Sequence, residues 1–377
     1  MRHTGPGLPG SPRAKGDLGG AKVLCAMSGG VDSSCSAFLL KGMGASVTGA
    51  TMKLLPYEED DGLGGRNCCS LGDVRDARKV CDRLGLGFLV FNFTRLFEEE
   101  VIRRFVEGYL SGLTPNPCVD CNRYLKSLHL RDRAGALGCD FLATGHYARI
   151  ERGPDGRMLL KKALDTAKDQ SYVLYAMGQE ELASTLFPLG TLTKPEVRRL
   201  AAGAGLATAE KKESQDICFA RGGAYQDFLE GRLPRQAEGL ILDASGKAIG
   251  RHKGFFRYTV GQRRGLGIPG PRPSYVLGVD PANNTVTVGP KEALLTGGML
   301  VGGLNLIAVP ELRGPVAVGV KIRYRQGEAP ATLEPHSQGM ARVLFREPQG
   351  AVAPGQAAVF YQGDTVVGGG TILSGIP

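Results

Sequence analysis

The sequence predicts an α/β fold, a parallel sheet with helices on both faces, followed by two small β-rich domains of which the last is a β-barrel. Three observations predict it. Short apolar runs alternate with amphipathic segments from Lys22 to about Tyr147, the pattern of right-handed βαβ crossovers. A glycine-rich turn joins the first apolar run to a helical segment. After Lys211, glycine, proline and evenly spaced short strand patterns are typical of small barrels.

The N-terminal region is predicted to contain four buried strands and four helices, from the periodicity of its apolar residues. The strand sequences are KVLCAM, ASVTGATM, GFLVFNF and CDFLATG, and the helices lie near residues 33–42, 73–84, 97–110 and 123–137. Parallel sheets bind ligands beyond the carboxyl ends of their strands. Residues 28–34, Met52 and Gly145 lie at three of these ends, so we expect three loops to meet at one crevice.

Length and composition indicate a protein of two or three domains, with 377 residues of which 42% are hydrophobic and 22% charged. No apolar run approaches the ~20 residues that cross a bilayer, and the N-terminus lacks the apolar stretch of a signal peptide. We therefore expect a cytoplasmic protein without a membrane partner. The predicted boundaries are a flexible tail at 1–20, a catalytic domain at 21–220, a central β domain at 221–294 and a C-terminal barrel at 295–377.

The chain is basic, with 46 Lys and Arg against 37 Asp and Glu, a net charge of +9 and a pI near 9.1. Excess positive charge favours a polyanionic partner, because neutralising phosphates releases counterions. A nucleic acid fits this charge, but so does a basic protein that binds none. The function must therefore be sought in the motifs.

The segment SGGVDSS, residues 28–34, is the strongest of these motifs. Its glycines permit positive φ angles, and its serine hydroxyls join the unpaired N–H groups of a helix start, which together suit a phosphate. Asp32 would repel that phosphate unless a cation intervenes, which indicates Mg²⁺ shared with ATP. The alternative is a capped helix after a glycine turn. A Walker A loop is excluded, because Ala follows the only Gly-Lys pair, Gly246–Lys247.

Three cysteines have polar surroundings that suit nucleophilic sulfur chemistry. Cys118 and Cys121 form a C-x-x-C pair, and Cys218 follows Lys211 and Lys212, whose charges are expected to lower its thiol pKa. A structural zinc site would need a second ligand pair at similar spacing. An iron–sulfur cluster on the three cysteines stays open as an alternative. Nine cysteines without a secretory signal favour free thiols, and four in apolar patterns are predicted core residues: Cys25, Cys35, Cys81 and Cys139.

Nine motifs in order identify a family resemblance. They are AMSGGVDSS, GATMK, TPNP with DCNRYLK, ATGHYARI, KDQSYVLYAM, ESQDICF, YTVGQRRGLGI, KIRYRQ and PGQAAVFYQGD. With these motifs the chain resembles the bacterial tRNA-specific 2-thiouridylase family of the PP-loop ATP pyrophosphatase superfamily, from about residue 20 to the C-terminus. The resemblance implies that ATP adenylates the C2 oxygen of the wobble uridine in tRNA. Sulfur loaded by a donor protein then replaces that oxygen.

The resemblance also implies roles for individual residues. Cys218 would carry the sulfur as a persulfide, and Cys121 would be the nucleophile that forms a transient disulfide with Cys218. The implied ATP site, with Mg²⁺ bound through ATP at Asp32, consists of Ala26, Met27, Ser28, Gly29, Gly30, Val31, Asp32, Ser33, Ser34, Met52 and Gly145. The implied tRNA contacts are Asn116, Pro117 and Cys118 at the target base, with His146, Lys168, Asp169, Gln170, Arg323, Tyr324 and Gln356, and the central β domain is expected to bind tRNA.

One departure from the family concerns position 118. Many members read TPNPD where this chain reads TPNPC, so a carboxylate is replaced by the thiol of Cys118. Either this thiol transfers the proton, or water or phosphate does, or the cysteine belongs to a cluster. Two other classes stay open: an amide-forming ATP pyrophosphatase, which needs no cysteines, and a tRNA-binding protein without catalysis.

Overall fold

The computed structural model describes residues 18–56, 71–211, 217–220, 225–233, 237–268 and 273–376. It divides the chain into two compact units. The first consists of Met1–Glu100, Cys118–Arg221 and Asp364–Val366, and the second of Val101–Pro117, Gly222–Gly363 and Val367–Pro377. Most of the predicted tail at 1–20 lies outside the described residues, as do Cys68, Cys69 and Lys212.

A parallel sheet of five strands forms the centre of the first unit, in the order β3-β2-β1-β4-β7. Its register places Val23 opposite both Val47 and Phe141. The four predicted strands are confirmed, and β7 is an addition of two residues, too short to show a pattern. The strands of this unit are β1 (Lys22–Ala26), β2 (Ser46–Lys53), β3 (Gly87–Asn92), β4 (Phe141–Ala143), β5 (Ala148–Arg152), β6 (Met158–Lys162) and β7 (Thr185–Leu186).

Helices follow the strands, and two of the predicted helical stretches contain π-helical segments. These segments are Glu98–Ile102 and Cys121–Leu130, and the second begins at a predicted catalytic cysteine. The α-helices are α1 (Val31–Gly42), α2 (Leu71–Leu84), α3 (Thr94–Phe97), α4 (Arg103–Leu110), α5 (Pro117–Asp120), α6 (Arg131–Ala136), α7 (Gln179–Ala183), α8 (Lys194–Gly203) and α9 (Tyr225–Glu230). Short 3₁₀ turns lie at Ser171–Leu174, Phe255–Arg257, Lys291–Leu294 and Ser337–Gly339.

The core of the first unit joins β1 to α1, α2 and α8. Val23, Leu40, Val80 and Val197 are among its buried side chains. Burying the apolar stripe of each helix against the sheet supplies the main favourable free energy of folding. This packing is what places the start of α1 at the carboxyl edge of the sheet.

Strands β5 and β6 form an antiparallel hairpin that the sequence did not predict. An ionic cluster crosses it: the ammonium of Lys161 lies 2.9 Å from Glu151 and 3.2 Å from Asp364. Arg149 donates to the same two carboxylates. The cluster fixes the short segment 364–366 to the first unit, where Thr365 pairs with Lys161.

The second unit contains an open sheet and a closed barrel. Four strands form the sheet β10-β11-β8-β9: β8 (Gly239–Leu242), β9 (Ala248–His252), β10 (Tyr275–Asp280) and β11 (Thr285–Gly289). The barrel order is β12-β15-β14-β13-β16-β17, and pairing of β12 with β17 closes it, which confirms the predicted C-terminal barrel. Its strands are β12 (Leu295–Leu306), β13 (Val316–Lys321), β14 (Ala329–Pro335), β15 (Ala341–Gly350), β16 (Ala357–Gln362) and β17 (Thr365–Ile376).

Within the described part of the chain, no helix is both long and apolar enough to cross a membrane.

Candidate functional site

The glycine loop, residues 28–34, connects β1 to α1 at the carboxyl edge of the sheet. Gly29 has φ +70°, and a Cβ there would collide with the backbone carbonyl of Asp73. Gly30 is the N-cap residue just before α1, with φ −97° and ψ 167° in the extended region, and no side chain caps the helix there. The first N–H groups of α1 and the positive end of its dipole are therefore suited to an anion, as the sequence predicts.

Two of the three serines in the glycine loop stabilise the loop itself. Ser33 accepts from the Ser28 amide at 3.1 Å and donates to the Gly30 carbonyl at 3.2 Å, and Ser34 donates to that carbonyl at 2.8 Å. Both are buried, whereas Ser28 is exposed. Of the hydroxyls predicted to contact phosphate, that of Ser28 is thus the one at the surface.

The loop after β4 approaches the glycine loop closely. A Cβ on Gly145 would lie 2.8 Å from the Ser33 nitrogen and 2.9 Å from the Asp32 carbonyl carbon. On the other side, Met27 donates to Ala50 of β2 at 2.8 Å. Only glycine at 145 lets the two backbones pack in this way, which explains the residue type that the motif carries.

The carboxylate of Asp32 is held by a lysine that the sequence did not single out. The Lys194 ammonium lies 2.7 Å from one carboxylate oxygen and 2.8 Å from the other, and the Tyr147 hydroxyl donates to Asp32 at 2.8 Å. The Lys194 side chain is 9% exposed and that of Asp32 is 30% exposed. The predicted magnesium ligand is thus paired with an ammonium group in this structure.

Lys194 owes its position to the start of α8. Thr193 and Glu196 form a capping box, and a proline occupies the first turn, so the helix begins at Lys194. The Lys194 amide also donates to Asp165 at 2.9 Å. The TKPE sequence could have revealed this helix start, but nothing in it shows that the lysine reaches Asp32.

Lys211 binds two carboxylates of α2 and the glycine loop. Its ammonium lies 2.7 Å from Asp73, 2.6 Å from Asp76 and 3.0 Å from the Gly29 carbonyl. Its charge is balanced by two carboxylates. The predicted effect of Lys211 on the Cys218 thiol stays a prediction. The sequence could not show this pairing, because the partners are more than a hundred residues away.

The three candidate cysteines are all in the first unit and none forms a disulfide there. Cys118 in α5 is exposed, while Cys121, at the start of the π-helix, and Cys218 are partly exposed. Phe219, next to Cys218, packs edge-on against Phe97 with ring centroids 5.8 Å apart. Among the described residues, no group of three His, Cys, Asp or Glu side chains is arranged to hold a metal ion.

The cysteines predicted for the core divide into two kinds. Cys25, Cys35 and Cys81 are fully buried, and burial, the largest cause, raises the pKa of the Cys35 thiol to about 12. Such thiols stay protonated and unreactive. Cys139 is partly exposed, so its prediction as a core residue is wrong; it lies in the turn after α6, at the edge of the apolar pattern.

His146 is buried, with hydrogen-bond partners at both ring nitrogens. Nδ1 lies 2.7 Å from the Thr144 hydroxyl and Nε2 lies 3.3 Å from the Lys126 ammonium. Burial first, and then the charge of Lys126, holds the pKa of His146 well below its usual range. A neutral ring accepts at Nε2 from the ammonium, so His146 links the loop after β4 to the π-helix that begins at Cys121.

The KDQ motif makes internal hydrogen bonds. The buried Asp169 accepts from the Ala163 amide at 3.0 Å and from the Ser171 hydroxyl at 2.8 Å. Gln170 accepts from the Tyr147 amide at 2.9 Å. These two side chains hold the segment in place, which leaves Lys168, partly exposed, as the residue of the motif best suited to a phosphate.

In the second unit, the side chains of two predicted tRNA contacts donate to backbone carbonyls. Arg323 donates to Val260 at 2.9 Å and to Ala351 at 3.3 Å. Gln356 donates to the Thr114 carbonyl at 2.7 Å, just before the Asn116–Pro117 segment. Gln356 therefore supports a loop predicted to face the target base.

The side chains after Arg323 are at the surface. Tyr324 is 40% exposed, and Arg325 is exposed, as are Arg263 and Arg264. A stacking ring beside a cationic side chain is suited to single-stranded RNA.

Comparison with known proteins shows matches along nearly the whole chain. Three family models match in succession: the tRNA methyl transferase HUP domain at residues 21–222, the tRNA methyl transferase PRC-barrel domain at 226–290, and the aminomethyltransferase beta-barrel domain at 296–372.

Three relatives bear the name tRNA-specific 2-thiouridylase MnmA. The protein of Geotalea uraniireducens is 50% identical over 93% of this chain and 94% of its own. That of Pelotomaculum thermopropionicum is 47% identical over 94% and 97%, and that of Moorella thermoacetica is 49% identical over 93% and 99%.

Proposed function

Because relatives at 47% to 50% identity match 93% to 94% of its length, the chain belongs to the tRNA-specific 2-thiouridylase family, and we propose how its residues carry out the thiolation. It is an enzyme that uses ATP to replace the C2 oxygen of a tRNA uridine with sulfur. Within the fold, the glycine loop supports this function best. It leads into a helix start that no side chain caps, and the backbone of Gly145 packs closely against it. The loop would hold the phosphates of ATP.

Activation by ATP solves a chemical difficulty. The C2 oxygen of uridine is a poor leaving group, but once it is bonded to the α-phosphorus of ATP, with pyrophosphate released, it can leave as part of AMP. The terminal sulfur of a Cys218 persulfide then bonds to C2 and AMP departs. The Cys121 thiolate attacks the Cys218 sulfur, which breaks the S–S bond, leaves sulfur on C2 and forms a Cys121–Cys218 disulfide. An external thiol then reduces that disulfide.

Magnesium binding at Asp32 would require a rearrangement. Both carboxylate oxygens are engaged by Lys194, so Asp32 can serve a cation only after the ammonium moves away. The phosphates of ATP are negatively charged, as the carboxylate is, so they would offer the ammonium a new partner. We therefore propose that Asp32 would hold Mg²⁺ bound with ATP, where the cation would offset phosphate charge, and that the Lys194 ammonium would then bind phosphate.

The tRNA contacts follow from exposure and charge. Among the predicted contacts, Cys118 and Tyr324 are exposed and Lys168 is partly exposed, which leaves these side chains accessible to tRNA. Asn116 and Pro117 face the base through a loop that Gln356 supports. Wobble bases can be splayed out of an anticodon loop at modest cost, which gives the sulfur access to C2.

A cluster bound by Cys118, Cys121 and Cys218 is the second candidate for the sulfur step. The persulfide of Cys218 is the first candidate. Anaerobic iron analysis with a visible spectrum separates the two. An iron-loaded protein whose thiolation depends on that iron supports the cluster.

The test is nucleoside mass spectrometry on tRNA incubated with the protein, ATP, Mg²⁺ and a persulfide source. The wild type is expected to form 2-thiouridine, AMP and pyrophosphate. Cys218→Ser and Cys121→Ser are expected to lose thiolation but to keep ATP binding, and Cys139→Ser serves as the matched control. Thiolation retained in Cys218→Ser would contradict the persulfide step, and methylated uridine in place of 2-thiouridine would contradict the function.

A further inference from the structure

Cys118 and Cys121 lie on one continuous helical stretch, which begins with α5 at Pro117 and runs on as the π-helix Cys121–Leu130. Asp120, between them, has helical backbone angles, φ −62° and ψ −43°. Three residues of helix separate Cα atoms by about 5 Å, from the rise and radius of a helix, and this lies within the range that a disulfide spans. The two cysteines are therefore neighbours by their positions on the helix.

A disulfide between these two cysteines requires only a local adjustment. Side chains three apart on a helix have Cβ atoms about 5–6 Å apart, against about 3.5–4.5 Å in a disulfide. Cys118 lies in the first turn, after the irregular residues 113–116, and the amides of a first turn have no partners within the helix. This turn can therefore tighten with little loss of hydrogen bonding.

The thiols of the site differ in their access to solvent. Cys118 is exposed, whereas Cys121 and Cys218 are partly exposed. In the proposed reaction each turnover ends with a Cys121–Cys218 disulfide, which has to be opened before Cys218 can carry sulfur again. Thiol–disulfide exchange depends on access to the sulfur that is attacked. An exposed thiol beside Cys121 is suited to take over this disulfide and to present it to solvent.

We propose that Cys118 is a catalytic residue that resolves the Cys121–Cys218 disulfide after each sulfur transfer. This inference rests on the function proposed above. The Cys118 thiolate attacks the Cys121 sulfur, the Cys118–Cys121 bond forms and the Cys121–Cys218 bond breaks. Cys218 leaves as a thiolate and takes up the proton that Cys118 lost, so the step is an isomerisation without net oxidation. An external dithiol then reduces the exposed Cys118–Cys121 disulfide to two thiols and is itself oxidised to a disulfide.

The advantage of Cys118 over an external thiol is its effective concentration. A thiol held near its target acts at a concentration of the order of millimolar, about ten times that of an external dithiol supplied at about 0.1 mM. In Cys118→Ser, resolution depends on the external dithiol alone. We therefore expect the ratio of the steady-state rate to the first-turnover rate of 2-thiouridine formation to fall about tenfold at that dithiol concentration.

The experiment uses full-length protein with tRNA, ATP, Mg²⁺ and a persulfide source. First-turnover and steady-state rates are measured on the same preparation. In parallel, protein preloaded with persulfide completes one turnover without dithiol, and its disulfides are mapped by mass spectrometry of alkylated peptides. The wild type is expected to contain Cys118–Cys121 and alkylated Cys218, and Cys118→Ser to contain Cys121–Cys218. Cys139→Ser is the matched control, because Cys139 is another partly exposed thiol of the first unit, and its ratio should equal that of the wild type.

The possible outcomes are distinct. A slower first turnover in Cys118→Ser with an unchanged ratio would overturn the proposal and assign the thiol to proton transfer. Loss of bound iron together with thiolation would overturn it in favour of the cluster. The disulfide map of the wild type is a separate test that needs no variant, and Cys121–Cys218 as its only disulfide would also refute the proposal. A wild type that makes no 2-thiouridine would instead refute the proposed function.

Discussion

Lys194 and Asp32 form an ion pair across 162 positions of the chain, with the ammonium 2.7 and 2.8 Å from the two carboxylate oxygens. The pair brings the start of α8 to the glycine loop. It also sets the charge of that loop, because the carboxylate that would repel phosphate is neutralised by a group able to bind phosphate. The loop therefore has no net charge from this pair before ATP and Mg²⁺ arrive.

Replacing Asp32 and replacing Lys194 should lower the free energy of unfolding by different amounts. Asp32→Asn leaves an ammonium that is 9% exposed without its counter-charge, and we expect a loss of about 3 kcal/mol in the free energy of unfolding. Lys194→Met leaves a carboxylate that is 30% exposed and still accepts from Tyr147, with an expected loss of about 1 kcal/mol. Denaturant titration of both variants shows which one loses more free energy of unfolding. The reverse order would show that Lys194 is not stabilised by this partner.

Gly145 should tolerate no side chain. In Gly145→Ala the new Cβ would lie 2.8 Å from the Ser33 nitrogen, so the glycine loop has to shift. We expect ATP affinity to fall about tenfold, as an overpacked contact does, measured by calorimetry. The control is Gly135→Ala in α6, where a Cβ meets nothing within 4 Å and a gain of about 0.5 kcal/mol is expected. Unchanged ATP affinity in Gly145→Ala would separate this loop from the nucleotide site.

His146 should make the first unit sensitive to mild acid. Burial lowers its pKa in the folded state, so the unfolded state takes up the proton first as the pH falls through 6.5. This contribution to stability is present above pH 6.5 and is lost below it, at about 1.4 kcal/mol per pH unit until the folded pKa is reached. The positive charge of Lys126 beside the ring opposes its protonation further.

The measurement is chemical denaturation between neutral and mildly acidic pH. His146→Gln is expected to remove this part of the pH dependence while it keeps hydrogen bonding to Thr144 possible. Because burial also lowers the pKa of His252, the difference between wild type and variant is the informative quantity. If the wild type and His146→Gln have the same dependence of stability on pH, burial does not hold the pKa of His146 down.

Substitutions of Arg323 and Arg325 should have different effects, the first on stability and the second on tRNA binding. Arg325→Ala is expected to weaken tRNA binding and to lower the slope of log affinity against log salt by about 0.7–0.9, the value for one phosphate contact. Arg323→Ala removes the donor to Val260 and Ala351 and should instead cost about 1.5 kcal/mol of stability. Filter binding over a range of salt concentrations, with unfolding measured in parallel, checks both. A salt slope that changes only in Arg323→Ala would reverse the assignment.

The sequence was sufficient for the features that depend on local pattern. The four strands and the helices between them follow from apolar periodicity, and Gly29 and Gly145 follow from a motif that needs close backbone approach. Even so, the predicted helix at 123–137 proved to contain a π-helical segment, Cys121–Leu130, because its hydrogen-bond register depends on packing that periodicity does not encode.

The roles of polar side chains were harder to predict. His146, Asp169, Arg323 and Gln356 occur in motifs associated with tRNA, yet their side chains hydrogen-bond to the protein itself. Motifs identify which residues matter, but a polar residue can act by supporting a loop as well as by touching the substrate. Burial and hydrogen-bond partners distinguish the two, and both arise only in the folded chain.

By itself the sequence determined the α/β class and the succession of strand, glycine turn and helix at residues 22–42, since these depend on neighbours along the chain. The tertiary structure alone decided that Lys194 pairs with Asp32 and that Lys211 joins Gly29 to Asp73 and Asp76. The physical reason is that a charge buried away from water takes the nearest counter-charge in space. Folding brings that partner close, while the spacing of residues along the chain gives no indication of it.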